Sequence, residues 1–240
     1  LGGPVLLTLK DNVPAETGAE LRRLQPSRVL VLGGTNVISD SATTQLAFQG
    51  FTVERIAGAG RYETAALVSE NVFAPGPAVV YVATGVDYPD ALAGAAAAGR
   101  VGAPVLLVGK DTLPGSTANE LTRLRPAQIV LLGGTGAVSA DVEDRLRVFA
   151  PSVARISGVD RYATAAAVAR ATPGTAKGVF LATGLGFADA LSGGPAAAAA
   201  QAPVLLVPRT CIPGPVHAEM ERYAYPPVTL LGGRAAAARR

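Results

Sequence analysis

The chain repeats itself with a period of about 100 residues, and that period constrains its fold more than any single residue does. PVLLTLKDNVPAETGAELRRLQP begins at Pro4, PVLLVGKDTLPGSTANELTRLRP at Pro104 and PVLLVPRTCIPGPVHAEMERYAYP at Pro203. Each runs on to a strand-like segment and two glycines: VLVLGGT from Val29, IVLLGGT from Ile129 and VTLLGGR from Val228. Two further signatures occur twice. RIAGAGRYETAA starts at Arg55 and RISGVDRYATAA at Arg155; YVATGVDYPDALAG starts at Tyr81 and FLATGLGFADALSG at Phe180. Between residues 2–26 and 102–126 more than half of the positions are identical without a gap. Solenoid repeats are shorter, roughly 20–50 residues, so each copy reads as a small domain.

The order of the signatures divides the chain into three expected units. Residues 54–153 carry every signature and form a complete copy. Residues 154–240 form a nearly complete one. Residues 1–53 hold only the second half of a copy, so the chain reads as starting inside a unit, with any leader out of view.

Composition narrows the partners. A net charge of +3 spread over 240 residues is mild, and it does not suggest nucleic acid, which asks for a clustered basic face. One cysteine, Cys211, excludes an internal disulfide, and the single His217 excludes the usual His-rich metal sites, so no cofactor is expected. The apolar stretches 91–108 and 190–207 approach membrane-span length but are broken by Arg100 and Pro104, and by Gly193, Gly194, Pro195 and Pro203. They read as a buried helix followed by a buried strand, with no membrane span.

Within the complete unit, helical and strand-like segments alternate. Helices are expected over 62–72, 89–100, 115–124 and 139–149, and strands over 79–83, 104–108, 128–132 and 153–157. Leu121 and Leu124 should face inward. Strands written as unbroken aliphatic runs are covered on both faces, which gives an α/β unit with an open parallel sheet between helices. The polar and glycine residues gather just after the strands, along the carboxyl rim where such sheets bind ligands.

Arg61 and Arg161, each followed by Tyr and then x-T-A-A, are the sharpest candidates on that rim. They suit a guanidinium fork on a carboxylate or phosphate, with Tyr62 or Tyr162 offering a ring or hydroxyl. They equally suit an ion pair that fixes the start of a helix. Asp90 and Asp189 open a helix, where a carboxylate can bind a ligand or cap free N–H groups. Thr84 and Thr183 lie at the ends of their strands and offer hydroxyls. The LGGT turns lack the spacing of a nucleotide fingerprint and read as tight strand-to-helix turns. No Ser/His/Asp set, metal-ligand spacing or catalytic acid pair is present, so the chain does not read as an enzyme. The alternative is an enzyme on phosphosugar or nucleotide substrates at the glycine-rich rim.

These linked motifs, R-I-x-G-x-[DG]-R-Y-x-T-A, A-T-G-x-x-[YF]-x-D-A-L-x-G, A-P-V-L-L-V and L-G-G, resemble the cell wall-binding repeat type 2 family over the whole chain. The resemblance implies three modules packed around a pseudo-threefold axis in a secreted or surface protein of a Gram-positive bacterium. It implies non-covalent, non-catalytic anchoring to an anionic wall polymer such as a teichoic acid or secondary polysaccharide, beside a separate effector domain. The expected partners are that polymer and the neighbouring repeats of the same chain. Carried over by position, the ligand side is Arg61, Tyr62, Arg161 and Tyr162, with Asp90, Asp189, Thr84 and Thr183 nearby. Three departures stand out: Gly60 where the third copy has Asp160, Pro208-Arg209 for Gly109-Lys110, and Arg234 for Thr135.

Overall fold

The computed structural model describes residues 2–233; Leu1 and Arg234, with its expected departure, lie outside them. The first copy runs α1 (Ala15–Leu24), β1 (Val29–Leu32), α2 (Asp40–Phe48) and β2 (Val53–Ile56). The second runs α3 (Arg61–Val72), β3 (Val79–Thr84), α4 (Pro89–Val101), β4 (Val105–Val108), α5 (Gly115–Leu124), β5 (Gln128–Leu132), α6 (Ala140–Leu146) and β6 (Ser152–Ile156). The third runs α7 (Arg161–Ala171), β7 (Val179–Thr183), α8 (Ala188–Ala199), β8 (Val204–Val207), α9 (Gly214–Arg222) and β9 (Val228–Leu230). Three parallel sheets result, in the orders β1-β2, β4-β3-β5-β6 and β8-β7-β9.

The unbroken aliphatic strands are buried on both faces, and their alternation sorts them into two layers. Val80, Val82, Ile129 and Leu131 point to one side, where Leu121 and Leu124 of α5 and Val142 and Leu146 of α6 close over them. Tyr81, Ala83, Val130 and Leu132 point to the other, against Ala97 and Ala98 of α4 and Val168 of α7. The third copy thus covers part of the second copy's sheet. The two copies also share a core of small side chains, in which Leu92, Ala93 and Ala96 pack with Ala165, Ala182, Ala190, Ala197, Val204 and Leu206. Alanine and glycine let α4 and α8 approach closely: a Cβ built on Gly99 would stand 2.7 Å from the Ala198 Cβ.

Strands β2 and β6 pair with β1 and β5, the sheets of the copies before them. The boundaries expected at 53/54 and 153/154 therefore cut through strands. Helix α3, in contrast, packs mainly against elements that follow it, α5 and β4; α7 packs likewise on α9 and β8, and also on α4 of the second copy. We propose that the units divide at the loops 57–60 and 157–160.

The PVLL segment at Pro4 forms no strand, unlike its equivalents at Val105 and Val204. The reason lies in the strand order: β4 and β8 pair only with β3 and β7, and the described part of the first copy has no such partner. The rest of the local geometry persists. Thr17 Oγ1 donates to Leu7 O as Thr117 Oγ1 donates to Leu107 O, both at 2.7 Å. The E-x-x-R pairs show the same contrast. Glu120 is buried beneath α3, accepting from Ser69 and Arg123, and Glu219 is fully buried between Arg170 and Arg222. Glu20 pairs with Arg23 and is more open to solvent, because among the described residues no helix covers α1 as α3 covers α5. The apolar stretches 91–108 and 190–207 resolve into α4–β4 and α8–β8, and no helix among the described residues is long and apolar enough to cross a membrane.

Candidate functional site

From β3 the chain runs first to β4 on one side, then returns to β5 on the other. The loops after β3 and β5 therefore leave in opposite directions, the arrangement that opens a crevice at the carboxyl rim. The loop after β3 is shaped by Thr84, whose Oγ1 accepts from the Val86 N–H at 3.1 Å; Thr183 does the same for Leu185 at 3.2 Å. Both threonines are buried, so they build the rim rather than face outward.

The arginine–tyrosine signature folds onto that loop in the same way twice. Arg61 Nη1 donates to Gly85 O at 2.5 Å, and Arg161 Nη1 to Gly184 O at 2.6 Å. The following tyrosine packs closely against the same glycine: a Cβ at Gly85 would stand 2.6 Å from Tyr62 Cε1, and one at Gly184 2.7 Å from Tyr162 Cε1. Glycine in A-T-G is thus required by the ring above it. The threonine of R-Y-x-T closes the signature, with Thr64 Oγ1 accepting from Gly58 N–H and Thr164 Oγ1 from Gly158 N–H, each at 3.0 Å. Part of each arginine is committed to the fold, through a backbone carbonyl of its own unit. The rest of the guanidinium differs between copies. Arg161 Nη2 reaches Asp87 of the second unit at 3.6 Å. Arg61 is exposed and has no acid within ion-pair distance among the described residues.

Asp90 sits in the first turn of α4, and Asp189 takes the same place in α8. Neither helix has a side-chain cap; the N-cap residues are Tyr88 and Phe187, so the expected capping bond is absent. Asp90 is instead aimed at the double-glycine turn, where Gly133 (φ +91°) has room for the carboxylate only because it lacks a Cβ. Burial first, and then the neighbouring Asp87, raise the Asp90 pKa above the ordinary carboxylate value, against the opposing pull of Arg161. A raised folded-state pKa means that ionised Asp90 opposes folding. The wild-type chain is free of this penalty below the ordinary pKa and carries it in full above the folded one. Asp90→Asn is therefore expected to be more stable than wild type near pH 7, with the difference gone at about pH 3. Urea unfolding at both pH values checks this, and an advantage independent of pH would refute it. A rim carboxylate whose pKa is raised by burial is a candidate functional position.

Several roles are visible only in the fold. Asp160 is the N-cap of α7, accepting from Ala163 N–H at 2.8 Å; in the second unit Glu63 instead accepts from Ala59 N–H at 2.6 Å, which explains how Gly60 is tolerated. Arg155 Nη1 donates to Gly133 O at 2.8 Å and to Val138 O at 2.9 Å, pinning the double-glycine turn, and Arg55 repeats this at Gly33 O and Ile38 O. Tyr88 and Phe187 meet edge to face at 5.9 Å across the boundary between units. The R-I-x-G spacing signals the arginine latch; only the packing of two units brings the aromatic pair together. Among the described residues no group of three or more His, Cys, Asp or Glu side chains is placed to hold a metal ion.

The chain is 32% identical over 195 residues to N-acetylmuramoyl-L-alanine amidase LytC of Bacillus subtilis, covering 81% of the chain and 38% of LytC. It is 33% identical over 187 residues to the amidase enhancer of the same organism, covering 74% of the chain and 26% of that protein. Two solved structures from Clostridium difficile superpose on nearly all of it. Cwp6 gives a TM-score of 0.86 at 28% identity, over 97% of the chain and 38% of Cwp6. Cwp8 gives 0.85 at 26% identity, over 96% of the chain and 40% of Cwp8. The chain thus spans four-tenths or less of the length of each of these four proteins. The model of the family described as Cell wall binding domain 2 matches residues 55–143 and 155–239, two successive copies of the repeat, and the chain belongs to that family.

Proposed function

We propose that the chain is a wall-anchoring module that binds an anionic glycopolymer of the Gram-positive wall and holds a larger secreted protein there. The observation that carries this is the duplicated rim: Arg61 on Gly85 and Arg161 on Gly184 present the same guanidinium and tyrosine from two adjoining units. A repeated site suits a repeating polymer, because linked weak contacts gain through effective concentration. Membership of a wall-binding family supports the same reading. It also favours binding over catalysis; the amidase activity in its name is LytC's, and the chain covers 38% of that protein.

The two arginines do different work in this proposal. Arg61 is the freer cation and engages a phosphate or carboxylate of the polymer, while Arg161 is shared with Asp87 and fixes the junction between units. Pull-down with purified walls, before and after acid extraction of the anionic polymers, tests the function; equal binding to stripped and intact walls would sink it. Within that assay Arg61→Ala is expected to weaken binding more at low salt than at high, since exposed charge attraction is screened. Arg61→Lys should recover only part of the loss, lacking the planar two-bond contact.

A further inference from the structure

The loops after β3 and β7 carry an apolar pattern to the rim. Val86 is 67% exposed, Leu185 63% and Phe187 51%. Tyr88 and Phe187 hold equivalent positions in their copies, and their rings meet at an interplanar angle of 63°. Large apolar side chains kept open to solvent at paired positions mark a contact surface. The charges beside them are few. Asp87 and Arg161 pair across the junction, and Asp90 stands close enough to feel both. Asp87 already occupies the Arg161 guanidinium, so a phosphate finds less free cation here than at Arg61. A pyranose ring gains there. Its C–H face covers an aromatic ring without charge, and its hydroxyls can donate to Asp87 and accept from Arg161.

We propose that Tyr88 and Phe187, with Val86 and Leu185 two residues before them and the Asp87–Arg161 pair alongside, form a subsite for one sugar ring of the wall polymer. The subsite bridges the second and third units. This rests on the wall-binding function above and refines it: the junction reads the glycan, and the anionic groups fall to Arg61. Rings of Tyr and Phe supply contact area at little loss of side-chain freedom.

Phe187→Leu keeps an apolar side chain against Tyr88 and removes the ring. The probe is the polysaccharide released from purified walls by mild acid, titrated calorimetrically at low and high salt, with melting temperatures measured in parallel. Phe187→Leu is expected to bind about fivefold more weakly than wild type. The loss should be the same at both salt concentrations, because ring stacking is not screened, and melting should be unchanged. If the wild-type chain binds and Phe187→Leu binds equally well, the subsite is overturned while wall binding stands. If the loss is matched by a fall in melting temperature, the ring serves only the interface and the subsite is again overturned. If the wild-type chain binds neither the polysaccharide nor the walls, the anchoring function falls, and the subsite with it.

Discussion

Arg155→Met is expected to lower the stability of the chain by about 3 kcal/mol. The guanidinium is 14% exposed and donates to Gly133 O, Val138 O and Ser139 O, with Glu143 completing the set at 2.8 Å. Methionine fills much of the space but offers no donor, so several partly buried carbonyls lose their partners together. Arg55→Met is the internal control. Arg55 makes the two equivalent carbonyl bonds, yet it is 22% exposed and its acid, Asp40, is 79% exposed. A smaller loss, about 1 to 2 kcal/mol, is expected there. Urea midpoints at unchanged slope measure both. An Arg155→Met loss below about 1 kcal/mol, or one no larger than that of Arg55→Met, would show that water satisfies the turn equally well.

That latch shows where sequence reading succeeds and where it stops. The strands were legible because burial on both faces leaves no polar position: V-V-Y-V-A, P-V-L-L-V and Q-I-V-L-L all became strands within a residue of their expected ends. The inward facing of Leu121 and Leu124 was legible from helical spacing, and both are fully buried. The PVLL repeat at Pro4 forms no strand because strand formation is a property of pairs, and no partner for it is present among the described residues. The rim arginines were legible as important from the repeat, but their hydrogen bonds to Gly85 and Gly184 depend on loop geometry that no motif states. From the sequence Asp90 is either a ligand residue or a cap, because it opens a helix; only the fold shows that it faces a glycine in the turn after another strand. The Tyr88–Phe187 contact lies furthest from the sequence, since it needs two units correctly docked.

Leu92→Ala is expected to lower stability by about 3 kcal/mol, and its effect should reach across the unit boundary. Leu92 belongs to α4 of the second copy and is 6% exposed, yet its cluster is mostly third-copy: Ala165, Ala182, Ala190, Ala197, Val204 and Leu206. A core built largely of alanine has few large side chains to relax into the space, so the cavity left by truncation stays open. If the two units were independent bodies, the damage would stay with β3, β4 and β5. A shared core predicts that amide protection falls in β7 and β8 as much as in β3 and β5, and that one unfolding transition serves both. Unchanged protection in β7 and β8, with a loss confined to the second unit, would refute the shared core. The outcome bears on function as well as on folding. The Asp87–Arg161 pair and the two rings are assembled by this docking alone. A chain that loosens at Leu92 should therefore lose its grip on the polysaccharide before it unfolds, and wall binding should decline at temperatures below the melting midpoint.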